Sequence, residues 1–155
     1  MNGDNPRSTA RIMGHPIHPM LVPFPITLFI AALATDAAFV IDGSALWARA
    51  SLWLVGAGIV TALLAALFGL ADFLGDARVR ALSDARMHMI GNLLAVAIEA
   101  VNLVLRLGDE RAAGGAGIIL SAVAVAILGF TGWKGGELVF RHGVGVASRG
   151  AGGQR

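Results

Sequence analysis

The sequence predicts an all-α integral membrane protein, a four-helix up-and-down bundle with a Pro-rich interfacial N-terminal segment, and three observations point there. First, 56% of the 155 residues are hydrophobic and only 14% charged, with a mean hydropathy of +0.73, whereas soluble domains carry about 25% charged residues. Second, four apolar runs approach the roughly 20 residues that cross a bilayer. Third, the connectors between them are the short stretches DGSA, GDARVRALSDAR and GDERAAGG, rich in Gly, Asp and Arg. Such connectors suit antiparallel neighbours.

The elements follow in order. Residues 1–13 read as a polar, frayed N-terminal tail. The stretch GHPIHPMLVPFPI, Gly14 to Ile26, then sets His15 and His18 among four prolines. Each proline disfavours helix in the residue before it, so His15, His18, Val22 and Phe24 bias the chain toward a kinked approach lying along the interface. The first span is expected from Met20 to Ile41. It is too long for a signal-peptide core and contains Pro23 and Pro25, so it reads as a retained helix. The second span is expected over Leu46–Leu74, the third over Met87–Leu107 and the fourth over Gly117–Trp133. Small residues recur every three or four positions at Gly58, Ala62, Ala66 and Gly69, and the series Gly117, Ser121, Val125, Gly129, Gly132 and Gly136 repeats this spacing. That spacing lets helices approach closely in lipid and makes a homo-oligomer plausible. Residues 14–146 form one transmembrane domain, and 147–155 read as a flexible tail.

Nine Lys and Arg residues fall on the side of the two termini and three on the other. The positive-inside rule therefore predicts an inner-membrane protein with both termini cytoplasmic. The net charge of +2 is dispersed over loops and never interleaved with aromatics, which argues against nucleic acid. Cysteine is absent, excluding disulfides, thiolate metal sites and covalent c-type haem. No G-x-S-x-G, H-E-x-x-H or G-x-x-x-x-G-K-[ST] occurs, so no conventional catalytic motif is present.

Polar groups inside the spans are few and therefore informative. His88, Asn92, Glu99, Asn102 and Arg106 follow steps of three and four, with Ala95 in the gap, and form one interior-facing stripe on the third helix. Glu99 reads either as a functional group or as packing glue. His15, His18, His88 and His142 all fall at the cytoplasmic end, with Asp72 and Glu137 beside them. His142 reads as solvated. Two ligand sets result: a non-covalent b-type haem held by His15 or His18 and by His88, or a divalent metal held by His15, His18, His88 and Asp72 or Glu137. A scaffold with no cofactor is the third reading. Asp36 and Asp42, toward the other end, read as caps or as partners of Arg49 or Arg106.

Taken together, GHPIHPMLVPFPI, GLADFLG closing the second span, His88 with Asn92, and GWKGGELVFRHGVGV closing the fourth resemble the bacterial predicted-membrane-protein family called domain of unknown function 2231, from about Gly14 to Val146. The resemblance implies four transmembrane helices. Fusion of some members to Rieske-type or cytochrome-like modules implies electron transfer, with a quinone or a redox protein as partner. The family motif carries a third His where this chain has Pro23, so a three-imidazole site on the first motif alone is not available.

Overall fold

The computed structural model describes residues 5–146. It contains a two-residue β-ladder, β1 (Arg11–Ile12) with β2 (His15–Pro16), followed by α1 (Ile17–Leu21), α2 (Pro23–Asp42), α3 (Ala45–Gly75), α4 (Ala77–Ala81), α5 (Ser83–Gly108), a 3-10 turn (Glu110–Gly114) and α6 (Ala116–Phe140). Four spans of 26, 31, 26 and 25 residues, the first comprising α1 and α2, are long and apolar enough to cross a membrane. Large hydrophobic side chains such as Trp53, Leu67, Ile90, Val104 and Ile119 point outward. The interior is built mostly from small and polar residues, with Phe29 and Val55 as the large apolar exceptions, a pattern expected where lipid is the solvent.

The proline-rich approach divides in two. Arg11–Pro16 is extended, as expected, and turns through Met13 (φ 49) and Gly14 (φ 83), the left-handed pair that a two-residue hairpin turn requires. From Ile17 onward the chain is helical, contrary to the sequence expectation. Val22 is αR although Pro23 follows it, and only this residue separates α1 from α2. Pro16 immediately precedes α1, and Pro19, Pro23 and Pro25 fall within the first turn of α1 or α2, where a missing N–H costs nothing.

The N-terminal segment is not frayed from Asn5 onward, correcting the expectation. Asp72 at the end of α3 gathers it: Oδ1 accepts from the backbone N–H groups of Thr9 (2.7 Å) and Ala10 (2.9 Å), and both oxygens accept from Ser8 Oγ at 2.9 and 3.0 Å. Thr9 packs into the space left by Gly75. Asp76 caps α4 and pairs with Arg78 at 2.8 Å, and hydrogen bonds from Arg78 hold its carboxyl well below the usual carboxylate range. The fourth helix runs on past Trp133 to Phe140, and Gly145 N–H then reaches Pro6 O at 2.9 Å. Residues 147–155 lie outside the described residues.

The four long helices stand in a ring, α2 against α3, α3 against α5, α5 against α6 and α6 against α2. Thus α2 and α5 occupy opposite corners. The two hairpins repeat one pattern. Adding 70 to the buried positions of α2, namely Pro25, Phe29, Ala32 and Asp36, gives Ala95, Glu99, Asn102 and Arg106, which are buried in α5. Adding 66 to Ser51, Val55, Gly58 and Ala65 of α3 gives Gly117, Ser121, Ala124 and Thr131, all buried in α6. The chain is thus two equivalent helical hairpins about a pseudo-two-fold axis along the bundle, a parallel internal repeat. Equivalent residues of α2 and α5 face each other across that axis.

Replacing Asp72 with Ala removes the anchor of the N-terminal segment, a loss of about 1–3 kcal/mol in local stability. Trypsin cleavage after Arg7 and Arg11 should accelerate about tenfold or more while the bundle stays folded. Time-resolved proteolysis followed by mass spectrometry checks this.

Candidate functional site

At the end of the bundle that carries both termini, the repeat brings two imidazoles together. His18 comes from α1 and His88 from the first turns of α5, and their ring centroids lie 6.0 Å apart with the planes 87° to each other. Each ring is fixed in the same way. His18 Nδ1 lies 2.8 Å from Ala65 O on α3, and His88 Nδ1 lies 2.8 Å from Thr131 O on α6. Four residues beyond each carbonyl stands a glycine. A Cβ on Gly69 would lie 2.8 Å from the His18 ring, and one on Gly135 would lie 3.0 Å from the His88 ring. The glycines therefore open the slots through which the imidazoles reach the helix backbone. A main-chain carbonyl on Nδ1 selects the tautomer that leaves Nε2 as the acceptor. His88 Nε2 lies 3.1 Å from Asn92 Nδ2, and Asn92 Oδ1 accepts from Thr131 Oγ1 at 2.8 Å.

The other proposed ligands do not join this pair. His15 is exposed, in β2, with Nδ1 3.1 Å from Met13 O. Asp72 is occupied by Ser8, Thr9 and Ala10, and Glu137 lies 3.4 Å from Arg141. Among the described residues no three His, Asp or Glu side chains are grouped to hold a metal ion. The expected four-ligand set of His15, His18, His88 and Asp72 is therefore not assembled, because the prolines and the Asp72 anchor tie two of its members to the N-terminal segment. His142 is not solvated as expected: its Nε2 lies 3.0 Å from Asp84 Oδ2, and Lys134 Nζ lies 2.9 Å from Asp84 Oδ1.

Toward the opposite end, the same axis carries a second polar cluster. Arg106 meets Asp36 in a bidentate pair, Nη1 to Oδ1 at 2.6 Å and Nη2 to Oδ2 at 2.7 Å, with neither side chain exposed. Nη1 also donates to Ser51 Oγ at 2.6 Å, Nη2 to Ser121 Oγ at 3.1 Å and Nε to Asn102 Oδ1 at 2.9 Å. All five N–H groups of the guanidinium thus have an acceptor. Ser51 and Ser121 donate onward to Asp36 at 2.5 and 2.8 Å. Asn102 Nδ2 reaches Glu99 Oε2 at 2.9 Å, Ser121 Oγ at 3.0 Å and Gly117 O at 3.2 Å. Gly117 is a glycine for a reason: a Cβ there would lie 2.5 Å from Ala112 O and 3.1 Å from Arg106 Nη2. All four spans contribute, Asp36 from α2, Ser51 from α3, Asn102 and Arg106 from α5 and Ser121 from α6.

The α5 stripe lines the interior as expected, from half-buried His88 and Asn92 to fully buried Glu99, Asn102 and Arg106. Asp36 pairs with Arg106, one of the expected alternatives, while Asp42 accepts from Ser44 N and Trp47 Nε1, both at 2.8 Å. Sequence reasoning missed Ser51, Thr131, Gly69 and Gly135 as polar or positioning residues, and it read Ser121 as packing alone. The available signal was the spacing: Asp36 follows His18 by the same eighteen residues that separate Arg106 from His88.

Four apolar spans closed around a polar interior define a multi-pass membrane protein of unknown function. The chain belongs to the predicted membrane protein family DUF2231, whose profile matches residues 14–148. No curated protein and no solved structure matches the chain.

The glycine slots can be tested by adding one methyl group. Gly69→Ala and Gly135→Ala should each destabilise by about 1–3 kcal/mol, the cost of overpacking a tight contact. Gly132→Ala should be near neutral, since a Cβ there meets nothing within 4 Å. Thermal unfolding in one detergent compares the three.

Proposed function

We propose that the protein is a membrane subunit holding one b-type haem between His18 and His88, near the cytoplasmic face of the bacterial inner membrane, and that it exchanges electrons with a quinone or a redox protein there. The observation that supports this best is the paired anchoring of the two imidazoles. Each Nδ1 is committed to a backbone carbonyl, each Nε2 is left as an acceptor, and the rings stand 6.0 Å apart. His18 and His88 would hold such a group as its two protein ligands, and it would supply one-electron chemistry at that end of the bundle. Two imidazoles are also the number that an iron already held by a porphyrin needs, whereas a bare divalent ion asks for three or four protein ligands. His15 has no part in this reading. Ligation asks that the Asn92 amide withdraw from His88 Nε2 and that the helices part to admit the porphyrin between the two rings.

A second reading has its own supporting observation. The hydrogen bonds of His18 and His88 to Ala65 and Thr131 already join helix to helix, so the histidines can serve as pins in a scaffold subunit without a cofactor. A divalent-metal site has less support, because it lacks a third ligand among the described residues. The excess of basic residues on the side of the termini supports the cytoplasmic placement.

An absorption spectrum of protein purified from haem-replete cells, oxidised and reduced, separates the readings. A Soret band that is present in wild type and His15→Ala and lost in His18→Ala and His88→Ala is the expected result. Wild-type protein without a Soret band overturns the haem reading and leaves the scaffold, in which the same two substitutions cost stability alone.

A further inference from the structure

Glu99 is the one interior group that neither the repeat nor the ion pair explains. Its equivalent in the first hairpin is Phe29, which is fully buried and packs so closely on Gly58 that a Cβ there would lie 2.6 Å from the ring. In the second hairpin the residue equivalent to Gly58 is Ala124 and the aromatic ring is replaced by a carboxyl. An apolar residue thus satisfies this layer of the bundle once already, and the fold does not ask for a carboxylate in the second copy.

The charges around Glu99 are already matched. Asp36 and Arg106 neutralise each other, and every guanidinium N–H is in use. Glu99 is unexposed; Oε2 accepts from Asn102, while Oε1 has no partner among the described residues. An ionised Glu99 would add an uncompensated negative charge and a bare oxygen to the interior of a membrane bundle, where each unsatisfied polar group costs several kcal/mol. A proton on Oε1 removes the charge. A metal cation does not suit the position, since the Arg106 guanidinium stands in the same network and, among the described residues, no third carboxylate or imidazole joins it.

We infer that Glu99 is a proton-binding site in the bundle interior, a carboxyl that takes up and releases a proton beside the fixed Asp36–Arg106 pair. The titratable and charged groups that face it are Asp36 from α2 and Arg106 from its own helix; α3 and α6 bring Ser51 and Ser121, which do not titrate. The inference does not depend on a haem.

Infrared spectroscopy of the whole protein in lipid, titrated from about pH 5 to about pH 9, a range wide enough to bracket a perturbed carboxyl, reads the site directly. The expected result is a protonated-carboxyl C=O band that shrinks as pH rises and is missing in Glu99→Gln. Carbon-13 labelling of the three glutamates in the wild-type chain must shift the same band, which keeps the test valid if the variant fails to fold. Absence of a labelled protonated-carboxyl band at every pH, or a band of constant size across the range, overturns the inference.

Discussion

The bidentate pair between Asp36 and Arg106 is the interaction on which the rest of the bundle depends. A guanidinium cannot shed its charge, and in a membrane its five donors must be met by protein. The acceptors that meet them come from all four spans. Any sliding or rotation of one helix would leave a buried charge or donor bare, so the pair fixes axial register at one end of the bundle. Helices of fixed rise carry that register to the other end. The contact between His18 and His88, about one span away, follows from it.

The internal repeat explains why contacts of such different chemistry share one axis. Two equivalent hairpins place equivalent residues opposite each other, and the hairpins differ at most of those positions. His occupies both 18 and 88, while 36 and 106 hold an acid and a base. Ser51 answers to Gly117 and Val55 to Ser121, so the two serines that complete the Arg106 shell come from non-equivalent positions. Phe29 and Glu99 mark the sharpest divergence. Symmetry thus supplies the framework, and its violation at Phe29 and Glu99 places polar chemistry where the other hairpin shows that packing alone does not require it.

Much of this was legible in the sequence. Composition and run length sufficed for four spans, because the energetic cost of polar groups in lipid leaves few alternatives. The interior stripe of α5 followed from helical spacing alone. The path of GHPIHPMLVPFPI did not, since prolines are tolerated in a first helical turn and resemble a break when read singly. Neither did the fate of Asp72, which depends on a segment more than sixty residues away folding back to it. The internal repeat was present as equal spacings but concealed by unlike residues: few positions coincide between the hairpins, and only burial in three dimensions makes the correspondence plain. Gly69 and Gly135 were hidden for a similar reason, as glycines in a glycine-rich chain whose role appears only when an imidazole is seen lying against them.

Exchanging the two charges across the axis tests the arrangement most directly. Asp36→Arg and Arg106→Asp should each destabilise the protein strongly, by about 3–5 kcal/mol, because each leaves two like charges buried together. The double variant restores an acid and a base at equivalent positions, and it should recover at least half of that loss in detergent unfolding. A double variant no more stable than the sum of its singles would contradict the claim that α2 and α5 meet at equivalent points of a two-fold axis.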